Sequence, residues 1–205
     1  MDEKQQQTNK ELRKNIFVIV WPVFVEVLLG ALFGMVDMMM VGKIPGDTAA
    51  AVSAVGMTNQ PMFLALSLIQ ALNVGGTAII ARYFGAKKFN RMGNILKHVM
   101  ILAMIFCVTP AAILMLIFAP EILSLLGGDA TVINVGVDYF RIVTIGFVFQ
   151  SLSFTVTAAL RGIGETKIPM QNNIIANSCN VVGNAILIYG MFGFPALGVT
   201  GAAIA

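Results

Sequence analysis

Two carboxylates, Glu26 and Asp37, stand in a stretch that otherwise reads as membrane interior. From Ile16 to Gly42 the chain runs through 27 residues whose only ionisable groups are these two acids. A charge at the centre of a spanning helix costs roughly 2.5–3.5 kcal/mol to insert, so an acid there is a functional-site candidate by default. Eleven residues at about 100° each return Asp37 to within roughly 20° of the helix face that carries Glu26, about 16 Å along the axis. The spacing lets both acids look into one cavity instead of into lipid. A carboxylate stripped of water there can take up a proton or welcome a cation.

Amides supply the neutral ligands such a group needs. Asn173, Asn177, Asn180 and Asn184 recur at spacings of four, three and four, which sets all four within about 60° of one helix face. Facing lipid they would be unsatisfied, so this face meets protein, water or ligand. It serves either as interhelical hydrogen bonding or as a polar cavity wall. A looser stripe, Asn59, Ser67, Gln70, Asn73 and Thr77, lies within roughly 120° on an earlier helix, with Gln70 and Asn73 as candidate cavity-lining residues beside Asn173 and Asn177. Gly30 and Gly34 have the G-x-x-x-G spacing of close helix contact. The thirteen methionines include Met38, Met39 and Met40 beside Asp37 and suit an adaptable apolar wall or plain core filling.

The elements that carry these residues are membrane helices. The chain is 58% hydrophobic and 11% charged, against about 25% charged in a soluble domain, and its mean hydropathy is +0.85. Long apolar segments run roughly over 16–42, 50–81, 95–119, 131–160 and 168–189, and a sixth begins near Leu197. The fold class is therefore all-α: a polytopic transmembrane bundle with five complete helices and the start of a sixth. Residues 1–14 form a polar tail and 15–205 the transmembrane unit. Fifteen polar residues ahead of so long an apolar stretch do not make a cleavable signal peptide.

Charge sets the orientation. Eleven of the thirteen Lys and Arg lie in the tail and in the second-to-third and fourth-to-fifth connections, which the positive-inside rule makes cytoplasmic, amino terminus included. Arg141 and Asp138 fall within a helix and are expected to pair at i,i+3. Pro22, Pro61 and Pro110 lie inside helices and predict bends. Cys107 and Cys179 sit in apolar runs as small core residues, without disulfide or metal spacing. Leu197–Ala205 is too short to span, so the chain is expected to stop inside its sixth helix as a fragment or an interrupted reading frame.

Several function classes drop out. His98 is the sole histidine, and there is no H-E-x-x-H, P-loop or G-x-G-x-x-G, so neither an enzyme nor an ATP-driven pump is expected. The dispersed basic residues give no nucleic-acid surface.

Four stretches together resemble one family. They are Pro22–Gly42 with its Val36-Asp37 and Val41-Gly42 pairs, ALNVGGTAIIARYFGAKK from Ala71, ALRGIGETKIPM from Ala159 and NSCNVVGNAILIYG from Asn177. Their order and spacing resemble the multidrug and toxic compound extrusion (MATE) transporters along essentially the whole chain. The resemblance implies the amino-terminal lobe of a two-lobe, twelve-helix secondary transporter, with the carboxy-terminal lobe missing. Such a protein sits in the plasma membrane and expels small organic, often cationic and amphipathic compounds in exchange for Na⁺ or H⁺, with no other cofactor. It implies a coupling role for Asp37 with Asn180. Some members carry an aspartate where this chain has Asn184, so a second fixed carboxylate is absent there. Coupling would then lean on Asp37, on Glu26 or on the missing lobe. Competition between drug and ion, or preference for opposite conformations, links the two fluxes. The alternatives are a non-transporting truncated membrane fragment and a lipid-linked oligosaccharide flippase of the wider superfamily.

Overall fold

The computed structural model describes residues 3–44, 48–193 and 195–205. Its helices are α1 (Glu3–Val41), α2 (Thr48–Gly85), α3 (Phe89–Ala103), α4 (Thr109–Ile117), α5 (Ala119–Leu125), α6 (Ala130–Gly162), α7 (Lys167–Tyr189) and α8 (Gly198–Ile204). The polar stretch assigned to the tail continues α1 from Glu3; residues 1 and 2 lie outside the described residues. Among the described residues four helical rods are long and apolar enough to cross a membrane: Glu11–Val41, Thr48–Gly85, Phe89–Ile117 and Ala130–Gly162. The fifth expected span, α7, has 23 residues, but six amide side chains between Gln171 and Asn184 lower its hydropathy. That composition fits a helix sheltered by protein better than one bathed in lipid.

Proline leaves its mark on the third rod. Between α3 and α4 the chain makes a π-helical turn, Met104–Val108, and Thr109 N–H bonds to Met104 O, five residues back. Pro110 follows directly and has no N–H to give, so the ladder widens ahead of it instead of breaking. Pro22 and Pro61 lie within α1 and α2, which stay helical through them.

Two contacts organise the bundle: α2 against α6 and α1 against α7. The largest apolar cluster joins Met62, Ala65 and Ile69 of α2 to Val108, Met115, Ala119, Phe140 and Phe147. Glycine brings α2 and α6 close: a Cβ on Gly162 would stand 2.8 Å from Thr77 Cγ2 and 3.1 Å from Thr77 O. Thr77 Oγ1 donates to Ala158 O at 3.1 Å in the same seam. The expected contact at Gly30 and Gly34 does not form among the described residues, none of which lies within 4 Å of a Cβ at either. Asp138 and Arg141 make no ion pair either, since among the described residues the sole one is Arg161–Glu26. Cys107 is half-buried as expected, but Cys179 on α7 is exposed among the described residues.

Candidate functional site

α1 and α7 run parallel in constant register. Asn173 meets Glu26 and Asn184 meets Asp37, each pair 147 residues apart. Parallel packing of two helices with equal rise carries the eleven-residue spacing of the acids onto the same spacing of the amides. The end of α7 is fixed at this register. Gly190 takes a left-handed φ of 70° and closes the helix, and Tyr189 Oη donates to Met40 O at 2.8 Å.

The outer rung is the Asp37 cluster. Asn184, buried in α7, donates from Nδ2 to Asp37 Oδ1 at 2.9 Å. Asn180 lies one turn away; with its amide nitrogen turned toward the carboxylate it donates to Oδ1 at 3.0 Å and Oδ2 at 3.2 Å. With its oxygen turned that way, it accepts from Asn184 Nδ2 at 3.2 Å. Asn184 Oδ1 is buried and has no hydrogen-bond partner among the described residues. These groups face a cavity of about 320 Å³ whose walls include Gly34, Asn59, Tyr139 and Val143. Ala202, Ala203 and Ala205 around α8 complete it. α8 can lie so close because Gly201 has no side chain: a Cβ there would stand 2.5 Å from Leu187 O.

The inner rung is separate. Glu26, 7% exposed, accepts from Arg161 Nη2 at 2.7 Å and from Asn173 Nδ2, both on Oε1. Its Oε2 is buried without a partner among the described residues. Asn177 points along its own helix and donates to Asn173 O at 2.8 Å.

Gln70 and Asn73 belong to a third place. They line a cavity of about 370 Å³ between α2 and α6, with Thr77, Phe154 and Thr157 beside them and Arg161 at one end. Asn73 Oδ1 is buried there and has no partner among the described residues. The structure thus brings Asp37, Asn180 and Asn184 together, pairs Glu26 with Asn173, and turns Gln70 and Asn73 toward α6. Sequence reasoning missed Tyr139 and Arg161. A buried acid needs a counter-charge, and Arg161, at the α6 end on the side of the membrane where α1 enters, was the cation available to supply it.

Comparison with known proteins shows the family and the fold. The MatE family model matches residues 22–186, and the chain belongs to that family. It is similar to the probable multidrug resistance protein YoeA of Bacillus subtilis (strain 168), 31% identical over 205 residues, covering 98% of this chain and 43% of that protein. It is also similar to the probable multidrug resistance protein NorM of Thermotoga maritima, 28% identical over 200 residues, covering 95% and 41%. The solved Vibrio cholerae MATE transporter VcmN in its bent form shares the fold, with a TM-score of 0.85 at 24% identity over 97% of this chain and 43% of that one. The chain spans about two fifths of the length of the curated relatives it matches. It has the fold of one lobe of a multi-pass membrane transporter.

Proposed function

We propose that this chain is the amino-terminal lobe of a multidrug efflux antiporter, working with a carboxy-terminal lobe outside this sequence. It exports small organic compounds, cationic and amphipathic in character, in exchange for Na⁺ or H⁺. The observation that carries the reading is Asp37 facing Asn180 and Asn184 in a cavity within the membrane-spanning part of the bundle. One fixed negative charge with movable amides can hold a proton or a small cation in turn. Asn184 Oδ1, without a partner among the described residues, is a further oxygen ligand within the same cavity.

The coupling follows from reciprocity. If the loaded and empty forms of Asp37 favour different packings of α1 against α7, ion binding shifts the drug-binding conformation, and drug binding shifts the ion affinity equally. The amino terminus and the basic connections lie on the cytoplasmic side of the plasma membrane, following the distribution of Lys and Arg.

The test is Asp37→Asn in the whole protein, assayed as drug uptake into everted vesicles, where export runs inward, under an imposed Na⁺ or H⁺ gradient. Gradient-driven efflux is lost while the amount of protein in the membrane is unchanged. Efflux retained at the wild-type rate would refute the role of Asp37.

A further inference from the structure

We propose that the α2–α3 turn and the groove beside it bind one anionic phospholipid, with its phosphate on Lys87, Lys88 and Arg91 and one acyl chain laid over Gly93. The inference goes beyond transport and requires only that the chain be embedded in a bilayer.

Two residues here run against their local conformation. Lys87 has φ +55° and is the only non-glycine residue with positive φ among those described. It sits just past the end of α2, with Lys87 N–H bonding to Phe84 O and Lys88 N–H to Tyr83 O. That helix-ending position favours glycine, yet it holds a lysine. Gly93 is the converse: a glycine inside α3, where almost any other residue is a better helix former. Among the described residues packing does not require it, because none lies within 4 Å of a Cβ at Gly93. Residues that break a local rule without a packing reason point to a function.

The two departures serve neighbouring surfaces. Lys87, Lys88 and Arg91 are exposed around a depression of about 300 Å³, and none makes an ion pair among the described residues. Gly93 opens onto a groove of about 220 Å³ between α2, α3 and α6, walled by Ile80, Met92, Leu96, Val156 and Leu160. Every side chain in that wall is apolar, so the groove suits hydrocarbon. Lys88 precedes Met92 by four residues at the start of α3, which sets the cationic turn on the same side of the helix as the groove wall. A cationic rim above a hydrocarbon slot at the end of a spanning helix complements a phosphodiester headgroup with an acyl chain. Free phosphate would use the rim and leave the groove empty.

The whole protein, purified in detergent, is titrated with palmitoyl-oleoyl phosphatidylglycerol and read by native mass spectrometry. Phosphatidylcholine with the same chains and inorganic phosphate serve as controls. One phosphatidylglycerol is retained at a concentration at least tenfold below that needed for phosphatidylcholine. Lys87→Gly, which suits the turn's backbone, weakens that retention at least threefold. Gly93→Leu, which fills open space, weakens it at least tenfold without lowering the melting temperature. If Gly93→Leu does lower it, Lys87→Gly alone decides. Equal retention of the two lipids overturns the proposal. So does retention indifferent to Lys87→Gly, or retention indifferent to a stably folded Gly93→Leu. Inorganic phosphate competing as well as the whole lipid would leave an anion site only and overturns it too.

Discussion

Asn184 donates to Asp37 Oδ1 at 2.9 Å across the α1–α7 contact, and three turns along the same seam Asn173 donates to Glu26 in the same 147-residue register. The two rungs look alike but differ in what else reaches the acid. Glu26 has a guanidinium at 2.7 Å, whereas Asp37 has amides and an open cavity. A carboxylate already neutralised by arginine has little reason to exchange a cation. One neutralised only by dipoles remains free to do so. On the proposed function, the outer rung is the one that exchanges the ion, and the inner one holds α1 against α6 and α7.

That division predicts unequal effects of removing the two amides. A hydrogen bond to a charged group contributes about 1.5–3 kcal/mol, so Asn184→Ala is expected to lower gradient-driven efflux by at least tenfold. Asn173→Ala, on the arginine-held rung, is expected to lower it by less than threefold. Initial efflux rates normalised to membrane protein level measure both. Equal losses would mean that the rungs act as one site.

Part of this site was legible in the sequence. The four-three-four asparagine spacing and a lone acid in an apolar run depend on helix periodicity alone, and the structure does bring Asp37, Asn180 and Asn184 together. Glu26 was read onto the Asp37 cavity because both share a helix face. Angle says nothing of depth, though, and about 16 Å of rise separates them. Its partner Arg161 is 135 residues away and counted in the sequence only as one more cation at a helix end. Gln70 and Asn73 share a face of α2, but which neighbour that face meets is set by tertiary packing, here α6 instead of α1. Cys179 sits in an apolar run yet is exposed on α7 among the described residues, which hydropathy cannot distinguish from a core position.

The Glu26–Arg161 pair is expected to stabilise the lobe as a coupled unit. Breaking a buried pair costs about 3–5 kcal/mol. Arg161 keeps 38% of its side chain exposed against 6% for Glu26, which reduces the expected cost of Arg161→Gln to on the order of 2–3 kcal/mol. The double variant Glu26→Gln/Arg161→Gln should be less destabilised than the sum of the singles by at least about 1 kcal/mol. Unfolding in detergent measures the cycle. Strict additivity would show that the two side chains do not interact in solution.

Glycine substitutions separate true close contacts from glycine spacing that only resembles them. At Gly162 an added Cβ would stand 2.8 Å from Thr77 Cγ2 and 3.1 Å from the Thr77 carbonyl. The carbonyl belongs to α2's backbone and cannot rotate away, so the α2–α6 seam must open and loosen the Thr77–Ala158 hydrogen bond. Overpacking of this kind costs about 1–3 kcal/mol, and Gly162→Ala is expected to lower the melting temperature by several degrees. Gly30 has the G-x-x-x-G spacing but none of the described residues within 4 Å. There alanine removes only glycine's helix penalty, up to about 1 kcal/mol, and Gly30→Ala is expected to leave the melting temperature unchanged or raise it. If Gly30→Ala destabilises as much as Gly162→Ala, α1 meets a close partner helix that these 205 residues do not supply.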